Sequence, residues 1–198
     1  VDGFRLDAVK HIRTEFFPDW LSYLRQDSEK KLFSVGEYWS SNIDTINHYI
    51  EKTNGCMSLF DVPLHYNFYR ASISNGEFNM SQIFNGTIVG TNPEKAVTFV
   101  DNHDTQPGQA LESWILDWFK PLAYSLILLR KDGFPCVFYG DYYGIPETDV
   151  SPKEDILKTL LKVRKYFAYG EQYDYFNNRN IIGFTRLGDY DHPGSGLA

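Results

Sequence analysis

The chain is 198 residues long, the size of one ordinary domain, and 42% of it is hydrophobic, enough for a packed core and too much for a disordered segment. Its 26 acidic residues outnumber 19 basic ones, and a formal net charge of −7 argues against a nucleic-acid binder. No apolar run reaches the roughly 18 to 20 residues of a membrane span, because the stretch 122–129 is broken by Ser125 and followed by Arg130 and Lys131.

Short apolar runs alternate with helix-like segments along the chain. Residues 3–7 read as a first strand. Phe16, Trp20, Leu21 and Leu24 then share one face at helical spacing. A second strand is expected over 32–36, followed by a helix marked by Ile43, Ile46 and Ile50. Further strands are expected over 57–62, 96–100 and 135–139, each a run of the kind buried on both faces. Residues 118–129 are apolar nearly all round and predict a deeply packed helix with Pro121 in its first turn. Ser151-Pro152-Lys153-Glu154 predicts a capped helix start, with Ile156, Leu157, Leu160, Leu161 and Phe167 on the buried face. Lys158, Lys162, Arg164 and Lys165 fall on its solvated side. Past Gly170 the pattern changes to a strand over 181–186 and a turn at Gly188-Asp189, so a domain boundary is placed near Gly170. Cys56 and Cys136 lie in apolar runs and read as small core residues. That fits a reducing compartment and leans towards an intracellular protein.

Strand–helix alternation implies parallel strands with right-handed crossovers. Asp7, Glu37, Asp61, His103, Asp104 and Asp141 all fall at or just beyond expected strand ends, which is how barrel enzymes assemble a site. No G-x-G-x-x-G follows a strand and there is no P-loop sequence, so a nucleotide-binding open sheet loses its support. Asp7, Glu37 and Asp104 each end a different strand. Two such carboxylates about 5 Å apart suit retaining glycoside hydrolysis, one attacking the anomeric carbon and the other protonating the leaving oxygen. On spacing alone a divalent-metal site fits equally well.

The strings V-D-G-F-R-L-D-A-V-K-H from Val1, V-G-E-Y-W from Val35 and F-V-D-N-H-D-T from Phe99 closely resemble the three catalytic segments of the α-amylase family, in the order of strands four, five and seven of its barrel. F-P-C-V-F-Y-G-D-Y-Y-G from Phe134 resembles its eighth strand and following loop. V-G-E-Y-W and W-F-K-P-L-A-Y, from Trp118, are similar to the bacterial liquefying-type branch and its intracellular relatives. The resemblance implies the C-terminal half of a (β/α)8 barrel, strands four to eight, in residues 1–170. Residues 171–198 would start a C-terminal β-domain. Because the chain opens inside a strand and lacks an initiator Met, it is expected to be a fragment, inactive alone.

What the resemblance implies for function is retaining endo-hydrolysis of α-1,4-glucan. Asp7 matches the nucleophile, Glu37 the general acid/base and Asp104 the third carboxylate, which grips sugar hydroxyls beside the reacting bond. Arg5, two residues before Asp7, points the same way along the strand and holds its charge. His103 matches a histidine that bonds sugar hydroxyls. Lys10 and His11 match residues on the leaving-group side, and Trp39 is expected to offer a face to a glucose ring. His11 also matches a backbone-carbonyl ligand of a structural Ca2+ whose other ligands lie upstream. A second calcium between barrel and C-terminal domain is not expected, because Arg179-Asn180 stands where relatives carry His-Asp. The Asn79 and Asn85 glycosylation sequons read as chance matches. The expected partner is an α-glucan polysaccharide or oligosaccharide, with neither nucleic acid nor membrane, and the full-length protein is expected to be a monomer. A sibling α-glucosidase or transglycosylase, and a non-catalytic glucan-binding protein, are the alternatives.

Overall fold

A computed structural model of the chain describes residues 1–26, 28, 30 and 32–198. Five strands, β1 (Gly3–Leu6), β2 (Phe33–Gly36), β3 (Ser58–Phe60), β4 (Ala96–Phe99) and β5 (Phe134–Cys136), pair in chain order, each parallel to the next. Helical segments fill the connections: α1 (Phe16–Gln26), α2 (Ile43–Lys52), α3 (Val62–Ile73), α4 (Ile88–Thr91), α5 (Lys120–Leu129), α6 (Tyr139–Tyr143) and α7 (Glu154–Phe167). Two further strands, β6 (Gln172–Tyr175) and β7 (Gly183–Arg186), form a separate antiparallel pair.

The five-stranded sheet is curled. Neighbouring strands lie about 4.8 Å apart, so β2 and β5 would be about 14 Å apart in a flat sheet. Yet the rings of Phe33 and Phe134 meet with centroids 5.3 Å apart. In-order parallel strands, helical crossovers and this concave face make the sheet half of a (β/α)8 barrel. Core side chains, among them Leu21, Ile46, Leu59, Phe68, Ile88, Phe119, Ile127 and Leu157, fill the layer between sheet and helices.

All five expected parallel strands form, but shorter, so that Asp7, Asp61, Val100 and Tyr139 lie just past the strand ends. Pro121 falls in the first turn of α5 as expected. Four expectations fail for tertiary reasons. α7 begins at Glu154, and Ser151 does not cap it: the Lys153 amide donates to Asp141 O (2.8 Å), which holds the backbone out of helical shape, and Lys153 itself becomes the N-cap. Only Leu157 and Leu160 are buried on that helix, while Ile156, Leu161 and Phe167 are 38%, 37% and 44% exposed, because α7 packs as a narrow strip, chiefly against α5. Arg164 is half-buried rather than solvated, and donates to Leu128 O at the end of α5. The cysteines are not core residues either: Cys56 is half-buried ahead of β3, and Cys136 is exposed on the edge strand β5.

Asp61 joins strand to helices. Its Oδ1 accepts from Leu64 N (3.2 Å), capping α3, and from Ile88 N (3.0 Å); its Oδ2 accepts from Val89 N (2.7 Å) at the start of α4. Burial pushes its carboxyl up to about 6, against those three amide donors. Asp61 therefore belongs to the frame and not to the chemistry. We predict that Asp61→Asn lowers stability by about 1–3 kcal/mol, because an amide nitrogen facing Val89 N leaves a buried donor without an acceptor. Denaturant unfolding of the two proteins measures it, and an unchanged midpoint would refute the double-cap role.

Candidate active site

The site is built from the chain just past β1, β2 and β4. Arg5 and Asp7 point the same way, and Arg5 Nη1 donates to Asp7 Oδ1 at 2.6 Å. The next residue, Ala8, is in the left-handed conformation with φ 46° and ψ 41°, a region that non-glycine residues enter at a cost of about 1–2 kcal/mol. That turn aims two successive amides at β2's end: Ala8 N donates to Glu37 Oε2 (2.8 Å) and Val9 N to Glu37 O (3.0 Å). Glu37 N in turn donates to Leu6 O (2.8 Å). Gly36 lets the segments approach, since a Cβ there would sit 2.7 Å from Met57 sulfur and 3.2 Å from Val9. The carboxylates of Asp7 and Glu37 are thus fixed to one backbone turn, Asp7 open to solvent and Glu37 largely buried.

Lys10 donates to Trp39 O (3.1 Å), so the short 3-10 turn Val9–His11 also holds the loop after β2. Trp39 stands among His65, Tyr66 and Phe99 with centroids 6.0–6.3 Å away, and its indole N–H donates to Tyr66 Oη (3.1 Å). His11 is exposed on the same turn.

Past β4 the segment 101–105 folds on itself. Asn102 Oδ1 accepts from Asp104 N (2.9 Å) and Thr105 N (3.0 Å), while Thr105 Oγ1 donates to Asp101 Oδ1 (2.8 Å). His103 and Asp104 form the outward corner of this turn, with Nε2 and Oδ2 3.4 Å apart. β4 stands two strands beyond β2 in the curled sheet, so this corner rises from the same end of the sheet as Asp7 and Glu37.

Beneath that corner lies a buried polar network that the sequence analysis does not identify. Lys120, fully buried at the start of α5, pairs with Asp101 Oδ2 (2.9 Å) and with Asp141, and lies 3.0 Å from the Trp114 ring centroid. Tyr124 Oη donates to Asp141 Oδ2 (2.6 Å), and Asp101 Oδ2 also accepts from Ile115 N (3.3 Å). Burial pushes the Asp101 carboxyl up to about 7, against the pull of Lys120. His65, held down to about 4 by burial, is neutral; its Nδ1–H donates to Val100 O (2.6 Å), leaving Nε2 to accept from the Ser113 hydroxyl (2.8 Å). The available signal was a lone lysine inside the apolar string W-F-K-P-L-A-Y. Asp141, counted above among strand-end carboxylates, is a member of this network and does not face the cleft.

Calcium takes roughly 6–8 oxygen ligands. No group of three or more His, Cys, Asp or Glu gathers to hold a metal among the described residues. His11 would supply one carbonyl oxygen, so the residues present do not make a calcium site on their own. At Arg179-Asn180, where a second calcium is not expected, Arg179 donates to the carbonyl of Glu77 and its backbone O accepts from Met80 N (2.7 Å), so Arg179 joins the segment after α3 to the turn before β7.

We predict that Lys120→Met costs about 3–5 kcal/mol, because it strands two buried carboxylates, and that adding Asp101→Asn and Asp141→Asn recovers part of the loss. Chemical denaturation of the single and triple variants measures this. Equal stability of Lys120→Met and wild type would show that the ion pairs carry no weight.

No family model matches the chain. Curated relatives match along its whole length. It is 58% identical over 198 residues to an α-amylase of Geobacillus stearothermophilus and 53% identical over 198 residues to a glucan 1,4-α-maltohexaosidase of Bacillus sp. (strain 707). Over 203 residues, covering 98% of the chain, it is 46% identical to the cytoplasmic α-amylase of Escherichia coli. The chain spans only 36%, 38% and 41% of those three proteins. Among solved structures, a cyclomaltodextrin glucanotransferase with three domains superposes at TM-score 0.71 and 22% identity, over 94% of this chain and 42% of that one. An α-amylase from Geobacillus thermoleovorans, complexed with acarbose, superposes at 0.65 and 19%, over 96% of this chain and 46% of that one, so the structures speak for the fold alone. Full-length matches at this identity, together with Asp7, Glu37 and Asp104 rising from one end of a half-barrel, place the chain in the α-amylase family.

Proposed function

We propose that residues 1–170 are the second half of the catalytic barrel of a longer α-amylase, and that residues 171–198 begin its C-terminal β-domain. The reaction is retaining endo-hydrolysis of α-1,4 bonds in starch- or glycogen-type glucans. The observation that carries this reading is the pairing at the ends of β1 and β2, where Arg5 holds Asp7 and the Ala8 amide holds Glu37. Asp7, aimed by the guanidinium of Arg5, attacks the anomeric carbon. Glu37 has Oε2 fixed by the amide and Oε1 left to carry the proton to the leaving oxygen. It then takes a proton from the water that releases the sugar from Asp7. Asp104 and His103, on one rigid corner, hold hydroxyls of the reacting sugar, an interaction that accelerates the step to the extent that it tightens in the transition state. Lys10, His11 and Trp39 border the leaving-group side. Calcium belongs to this reading only with ligands from sequence outside the chain, His11 adding its carbonyl.

The named activities of the relatives support hydrolysis over a purely binding role, and a binding protein has no use for all three carboxylates. A reducing-end assay on starch with the full-length protein distinguishes the two, and no release of reducing ends would overturn the proposal.

Asp7→Asn should reduce starch hydrolysis by several orders of magnitude while leaving glucan binding intact, since the amide keeps the shape and loses the nucleophilic charge. Turnover at the wild-type rate in a preparation free of deamidation would remove Asp7 from its role. Glu37→Gln should be equally poor on starch but still react with an α-glycosyl fluoride, whose leaving group needs no proton. Mass spectrometry should find the glycosyl adduct accumulating on Asp7; its absence would break the division of roles.

A further inference from the structure

α5 and α7 end side by side against the β6–β7 pair, and positive charge collects there. A cavity of about 370 Å3 lies between Arg130, Lys131, Arg164, Lys165, Tyr169 and Arg186. Five of these six are cations, in a chain whose formal net charge is −7. Two carboxylates, Asp132 at 3.3 Å and Asp174, both pair with Arg130. Lys131, Arg164, Lys165 and Arg186 make no salt bridge among the described residues.

Part of this cluster has a structural purpose. Arg164 donates to Leu128 O and Arg186 to Leu129 O (3.2 Å), which satisfies carbonyls left open at the end of α5, and Arg186 also donates to Gly170 O (3.1 Å) just past α7. A helix end carries only about half a negative charge, so the two ends offset about one cation and leave a surplus. Burial holds the Arg186 guanidinium below its usual range, and the charges of Arg164 and Arg130 push it the same way against those of Asp132 and Asp189. It nonetheless stays cationic. Arg130 is fixed in place over the rings of Phe84 (4.5 Å) and Phe176 (5.1 Å). The floor is therefore guanidinium held in place, and the rim is two exposed lysines. Guanidinium groups recognise planar or tetrahedral oxyanions through paired donors, and ammonium groups add point charge. The volume lies at the low end of the roughly 300–1,000 Å3 of small-molecule pockets.

We propose that this cavity binds a small, multiply charged oxyanion of the phosphate class, free or as the phosphoryl group of a sugar phosphate, and that the anion ties α7 to the β6–β7 pair. The test is calorimetric titration of the full-length protein with sodium phosphate and with glucose 6-phosphate, each against sodium chloride at equal ionic strength. Saturable binding of one anion per chain, with a matching rise in Tm, is expected. Tighter binding of the sugar phosphate would identify the phosphoryl group as the ligand, and tighter binding of phosphate the free ion. The double variant K131Q/K165Q, which alters only exposed side chains, should fold normally and lose at least about tenfold in affinity, the size of one charge-assisted hydrogen bond. R164Q should weaken binding further. Heat and Tm shifts no larger than those of chloride, or unchanged affinity in K131Q/K165Q, would overturn the proposal.

Discussion

One buried ammonium group constrains much of this structure. Lys120 is surrounded by Asp101, Asp141 and the Trp114 ring, with no contact to water. Each partner belongs to a different part of the chain: Asp101 follows β4, Lys120 opens α5, and Asp141 lies in α6 after β5. Removing a charge from water is costly, and the cost is recovered only if every partner stays in place. The network therefore has one tolerable arrangement. Through Asp101 and Thr105 it fixes the turn that presents His103 and Asp104, and through the Asp141 carbonyl it displaces the start of α7. A surface corner and a helix boundary are set by the same interior charge.

The frame around that network follows from β-sheet physics. Strands of three or four residues can place only a few side chains each, so chemistry falls to the first residues past their ends. Parallel pairing puts all those ends on one side, and the curl that brings Phe33 to Phe134 turns them towards a common axis. Asp61 and Asp141 show that a strand-end carboxylate is not by position alone a catalytic one. Both are fully buried and bonded to backbone amides or to a lysine, whereas Asp7 stands in the open. Glu37 is also largely buried, but only its Oε2 is taken up by an amide, so it is the occupation of both carboxylate oxygens, not location in the sequence, that sets the frame carboxylates apart.

Much of this was legible in the chain. The five parallel strands were readable as dense apolar runs, and the three strings resembling the family's catalytic segments marked the strand ends proposed to carry the chemistry. α3 was not read as a helix because V-P-L-H-Y-N-F-Y-R-A-S-I is buried nearly all round and shows no polar stripe; its only signals were Asp61 as cap and Pro63 in the first turn. β6 was missed because Q-Y-D-Y is mostly exposed and acquires its shape by pairing with β7. The Ser151 capping box was a sound local signal overruled by a long-range hydrogen bond from Lys153 to Asp141. Lys120 and His65 escaped notice because a polar residue in an apolar string declares neither its partner nor its depth. The failures share a cause: each depends on contacts between segments far apart in sequence.

Ala8 carries a consequence for how this chain can vary. Its left-handed backbone puts strain next to Asp7, in the turn whose amide holds Glu37. Glycine would relieve that strain, yet it would also free the one joint that sets the angle between the carboxylates, where an error of about 1 Å can cost a hundredfold in rate. A β-branched residue would hold the joint stiffly but in the wrong conformation. Alanine is a compromise between the two: small enough to be forced into the turn, restricted enough not to wander once there. On the proposed roles of Asp7 and Glu37, selection at this position acts on the aim of two acids, and a substitution that makes the fold more comfortable costs catalysis.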